Sequence, residues 1–179
     1  MKKKLSIVFL LLNFLNNNGN NFSVMTCGVP KSAPSTISIE SREKIFAYDT
    51  TFVMNRYKKE HEEVSNERLK ILDLEFKKFA IAGSVSTMPL PMFHKELDDY
   101  WHTFILFTHE YKNFCKKLLG KFMHHVPAEK PEPATPEQKE NLINLYQELF
   151  KQEPNQEFWP LDENGECKDR VCLSWHLKS

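Results

Sequence analysis

The stretch LDDYWHTFILFTHEYKNFCKKLLGKFMHHVP, Leu97 to Pro127, holds four of the chain's seven histidines, two adjacent aspartates and one cysteine. Asp98 and His102 are four residues apart, a spacing that puts both on one face of a helix. A carboxylate one turn from an imidazole can accept its ring N–H and fix the tautomer. His124 and His125 are adjacent, so on a helix they would point about 100° apart and only one could join a given site. Asp98, His102 and one histidine of that pair make a three-ligand set with an open position. Nitrogen and carboxylate ligands of this kind suit zinc or iron. The same Asp–His spacing also serves a plain structural hydrogen bond, so the pattern admits both readings.

The neighbouring residues divide between site and core. Leu97, Trp101, Phe104, Thr108, Tyr111, Cys115 and Leu118 alternate three and four apart, which predicts an apolar helical seam facing a partner helix. Trp101 and Tyr111 fit as core aromatics, and Cys115 as a small apolar group. Thr108 is less usual in such a seam. It either bonds back to a carbonyl one turn earlier or borders a polar pocket. On this reading Trp101, Thr108, Tyr111 and Cys115 line the pocket beside the Asp/His set. His109 reads as a solvated residue. A second candidate set, Cys167, Cys172 and His176, has metal-compatible spacing but no fourth ligand nearby. Free thiols on a loose tail, or a Cys167–Cys172 disulfide in an exported protein, explain it as well.

Composition removes several function classes. The 179 residues carry 24 basic and 24 acidic side chains and no basic stripe, which argues against nucleic acid as a partner. With only five glycines, the chain has no GxGxxG and no GxxxxGK[ST]. It also lacks GxSxG and HExxH, so the usual nucleotide-binding, serine hydrolase and zinc protease signatures are missing. A protein or small-molecule ligand remains open as partner.

The elements that must position the candidate residues read as all-α. Ser41 precedes a helical pattern through about His61, with Ile45, Phe46, Phe52, Val53 and Tyr57 on one side. Ser65 is the expected N-cap of a second helix, with Gly83 its stop. The seam helix is third and ends at Gly120. A proline-rich linker, AEKPEPATP, follows. Thr135-Pro136-Glu137-Gln138 is a capping box that opens a fourth helix carrying Leu142, Leu145, Tyr146 and Leu149. The expectation is a compact bundle of about four main helices with a disordered N-terminal tail and an irregular C-terminal tail. Three segments follow: 1–40, a signal-like segment and flexible tail; 41–160, the helical domain; and 161–179, a tail containing cysteine and histidine. Lys2 to Lys4 and the apolar run Leu5 to Leu15 have the layout of a secretory signal, too short for a membrane span. The protein is exported if residues 1–24 act that way, and cytoplasmic if translation starts at Met25.

The residues Asp98, Trp101, His102, Thr108, Tyr111, Phe114, Cys115, Gly120, Phe122, His124, His125 and Pro127 form a pattern that resembles the signature of the glycine-rich domain-containing protein-like family. The chain lacks a glycine-rich region, so the resemblance implies a short, bacterial-type member with the helical domain alone. It implies no reaction. It does imply that the polar positions Asp98, His102, His124 and His125 are a functional cluster. Three functions fit: a binding module whose polar Asp/His pocket holds a divalent metal, a hydrolase or oxidoreductase using the same residues with that metal, or a metal-free protein-interaction domain.

Overall fold

A computed structural model describes residues 37–92, 94–126, 135–159 and 173–174. In chain order the elements are α1 (Ile39–Ala47), α2 (Thr51–Glu60), α3 (Asn66–Val85), β1 (Pro91–Met92), α4 (Lys95–Leu106) and α5 (Thr108–Phe114). A π-helical turn (Cys115–Leu119), α6 (Pro136–Phe150) and β2 (Leu173–Ser174) complete them. The all-α expectation holds. The strand content among the described residues is one two-residue antiparallel pair, Pro91 opposite Ser174 and Met92 opposite Leu173. No described helix is long and apolar enough to cross a membrane. The signal-like segment, Cys27, Cys167, Cys172 and His176 lie outside the described residues.

The organising element is α3. It packs against α1, α2, α4, α6 and the π turn, and from Glu75 to Gly83 every residue is buried. Phe76 lies among Tyr100, Trp101, Phe104 and Phe114, at centroid distances of 6.1, 6.3, 5.7 and 6.1 Å. Phe79 stacks on Trp159 at 5.6 Å. Each fully buried phenylalanine contributes about 1.5–3 kcal/mol, so this aromatic core is a large favourable contribution to the fold.

Charged residues inside α3 are matched one by one. Glu75 takes Lys78 Nζ on Oε1 at 2.9 Å and the Trp159 indole N–H on Oε2 at 2.9 Å. Lys78 also donates to the Tyr146 hydroxyl of α6 at 2.8 Å. Asp73 accepts from Thr50, from the Tyr100 hydroxyl of α4 at 3.0 Å, and pairs with Lys77 at 2.8 Å. Burial of a charge without such partners is prohibitive. These contacts therefore fix how α3 meets its neighbours. Burial also pushes the Tyr100 and Tyr146 phenols well above their ordinary pKa.

Helix ends follow local chemistry, with three departures from the sequence reading. The pattern over 41–61 breaks into α1 and α2. The Asp49 carboxylate accepts from the Thr51 backbone N–H at 3.0 Å and its hydroxyl at 2.6 Å, an alternative to continued helix. Lys77 then satisfies the loosened Tyr48 and Phe46 carbonyls at 2.8 and 3.3 Å. The expected seam helix also breaks, at Phe107 (φ −85°, ψ 65°), into α4 and α5. Gly83 does not stop α3, which runs on to Val85 and ends where Ser86 turns extended. Ser65 does cap α3, accepting from the Arg68 N–H at 3.1 Å. The Thr135–Gln138 capping box is formed in both directions. Gly120 ends the π turn at φ 76°, a left-handed conformation that glycine adopts without strain.

Two substitutions test this account by urea unfolding. Glu75→Ala strands Lys78 in the core and should lower stability by about 3–5 kcal/mol. Thr135→Ala removes one exposed cap and should lower it by about 1 kcal/mol. A Glu75→Ala loss no larger than that of Thr135→Ala would contradict a matched charge in the core.

Candidate metal centre

Asp98 sits in the first turn of α4, its N–H bonded to the His94 carbonyl at 3.0 Å. A carboxylate is favoured there by the helix dipole. Its side chain is 5% exposed, and burial demands a partner. The partner comes from across the fold: His125 Nε2 donates to Asp98 Oδ1 at 2.8 Å. His102, one turn along α4, places Nδ1 3.7 Å from Oδ2. The His102 and His125 rings lie 4.4 Å apart at 55°. One nitrogen or oxygen from each of Asp98, His102 and His125 lies within 4.8 Å of the others.

Exposure is graded across the cluster. Asp98 and His125 side chains are 5% and 7% exposed, and His102 is 48% exposed. Two groups are fixed in the protein and the third fronts the solvent. Zinc takes nitrogen and carboxylate ligands at about 2.0–2.2 Å, which in a tetrahedral site spaces them about 3.3–3.5 Å apart. The two Asp98–imidazole separations, 2.8 Å on Oδ1 and 3.7 Å on Oδ2, fall on either side of that spacing.

The other candidate residues take distinct places. His124 is exposed and packs edge-on to Phe122 at 4.7 Å, apart from the three-residue cluster. Asp99 pairs with Lys95 at 2.5 Å. His109 is exposed and meets Asn113 at 3.2 Å. The break at Phe107 puts Thr108 at the exposed first position of α5, so Thr108 does not continue the apolar seam.

Trp101, Tyr111 and Cys115 are buried behind the cluster. The Trp101 ring stands edge-on to His125 at 4.6 Å, and its indole N–H donates to the Tyr111 hydroxyl at 3.0 Å. That hydroxyl donates in turn to the Met123 carbonyl at 2.6 Å. The Met123 backbone also hydrogen-bonds to the Cys115 sulfur, and burial pushes the thiol pKa up despite this bond. Sequence reading missed the Met123 carbonyl as a fixed point, because a main-chain acceptor leaves no mark in residue type. It missed the Glu75–Lys78–Tyr146–Trp159 cluster too. The signal for that cluster was present in EFKKF, where two charges three apart are interleaved with aromatics.

A family model described as UCP032817-like matches residues 41–157. The chain belongs to that family. UCP032817-like is an uncharacterised family, and the match replaces the resemblance to the glycine-rich domain-containing protein-like family. The matched span contains Asp98, His102, His124 and His125, and excludes Cys167, Cys172 and His176. No curated protein and no solved structure matches the chain.

The thiolate is the nucleophile in alkylation, and a buried thiol with a raised pKa offers little of it. Cys115 should therefore resist iodoacetamide at pH 8 in the folded protein and react once denaturant is added, as read by peptide mass mapping. Rapid native labelling of Cys115 would contradict its burial.

Proposed function

We propose that this member of the UCP032817-like family is a small helical binding domain in which Asp98, His102 and His125 hold a divalent metal ion. The observation that carries the reading is the grouping of two imidazoles and one carboxylate, from α4 and from the segment after Gly120, with one ligand atom of each within 4.8 Å of the others. Two-histidine, one-carboxylate sets with open positions suit zinc or iron. The ion would leave its open face toward solvent on the His102 side, where a small molecule or a protein side chain could complete the coordination.

A second reading, a metalloenzyme of hydrolase or oxidoreductase type, draws support from that same outward face, because catalytic sites keep a position free for water or substrate. A metal-free interaction domain draws support from the 2.8 Å bond between Asp98 and His125, which can fix packing without an ion.

The discriminating experiment is the metal content of the full chain, purified without a polyhistidine tag, for wild type, His102→Ala and His125→Ala. About one equivalent of zinc or iron in wild type, lost in both variants with the helical circular dichroism retained, is the expected result. Metal-free wild type that also fails to take up added zinc would remove the reading. In that case a large drop in melting temperature for His125→Ala would favour the structural network.

A further inference from the structure

The histidine that closes the cluster lies on a segment with little regular structure of its own. Residues 122–126 belong to no helix or strand, and among the described residues they make no main-chain bond to another main chain. Yet His125 must stay within hydrogen-bond reach of Asp98. What restrains the segment is Met123, two residues earlier. Its carbonyl takes the Tyr111 hydroxyl at 2.6 Å, its backbone also bonds the Cys115 sulfur, and its side chain is fully buried. Tyr111 is itself held by the indole N–H of Trp101, and Trp101 flanks the His125 ring.

We infer that Tyr111 is a positioning residue for the Asp98–His102–His125 site, acting through the Met123 carbonyl and not by touching a bound ion. The inference rests on the proposed metal reading for its effect on affinity, but its geometric half concerns the Asp98–His125 pair alone. A phenol 2% exposed and bonded on both sides is a stiff link in a chain α4–α5–Met123–His125. Without the hydroxyl, the Met123 carbonyl loses its buried donor, and the segment can drift by the fraction of an ångström that separates a ligand from a neighbour. Residues that orient metal ligands in this indirect way typically change affinity by about 10–100-fold when altered. Tyr111→Phe keeps the ring, and so keeps the edge-on contacts with Phe104 and Phe122 at 5.3 and 5.5 Å. Tyr100→Phe is the matched control: it deletes another buried hydroxyl, the one bonded to Asp73, on the same helix as the site but outside the chain of contacts.

The test uses the full chain and two readouts. Cobalt(II) titration, followed by its visible absorption, gives affinity. Proton NMR of the metal-free protein gives the His125 ring N–H, which the bond to Asp98 should shift downfield and protect from exchange. For Tyr111→Phe the expected results are a 10–100-fold weaker cobalt affinity and loss of the protected ring signal. Tyr100→Phe should lower the melting temperature comparably and leave both readouts as in wild type. Equal affinity and an intact ring signal in Tyr111→Phe would overturn the inference, as would matching losses in Tyr100→Phe, which would mark general loosening. If wild type binds no cobalt while Tyr111→Phe alone loses the ring signal, the metal reading fails and the positioning role of Tyr111 stands.

Discussion

Four charged side chains lie along the middle of α3, and the rest of the molecule is arranged to satisfy them. Asp73, Glu75, Lys77 and Lys78 occupy a helix enclosed by its neighbours. A charge removed from water needs a partner in defined geometry, and each of the four finds one on a different element. Asp73 ties the start of α2 and the face of α4 through Thr50 and Tyr100. Lys77 closes the break between α1 and α2. Lys78 and Glu75 reach Tyr146 on α6 and Trp159 beyond it. Burial of the aromatic and aliphatic core is strongly favourable, but it is non-directional. The directional bonds select one orientation of the helices among the many that would bury the same rings.

The candidate centre is held by a different set of bonds. Tyr100 and Trp101 are consecutive on α4, and both are fully buried. Tyr100 fastens α4 to Asp73, and Trp101 begins the link through Tyr111 to Met123. Within α4, Asp98 is buried and meets His125, while His102 is left at the surface. The chain leaves the π turn at the left-handed Gly120, and five residues on His125 meets Asp98 and Trp101 of α4. The cluster therefore rests on buried residues outside its own three side chains, among them Trp101, Tyr111 and Met123.

Much of this was legible from residue types. The Ser65 cap, the reciprocal Thr135–Gln138 box and the glycine at 120 act through bonds within a few residues, so sequence alone identifies them, whereas the first helix is capped by Ser38 and already contains Ser41. The breaks at Asp49 and Phe107 were harder to see. At the first, a local Asp49–Thr51 bond competes with a helix, and the competition is decided by Lys77, nearly thirty residues away in the chain. At the second, Phe107 packs against Phe52 of α2 at 4.8 Å, a contact that no periodicity reveals. Periodicity puts Thr108 in the seam only if one helix runs unbroken through Phe107, and it does not.

By itself the sequence determined the helical class, the caps and the short list of residues able to ligate an ion, because propensity, spacing and side-chain chemistry are local properties. It placed Asp98 and His102 on one helical face for the same reason. It left His124 and His125 equivalent. Only the tertiary structure separated them, by anchoring the Met123 carbonyl to Tyr111 so that His125 meets Asp98 at 2.8 Å and His124 turns to Phe122. The physical reason is that two adjacent side chains on an irregular segment point in different directions, and which direction faces the site is set by a main-chain bond to a distant residue.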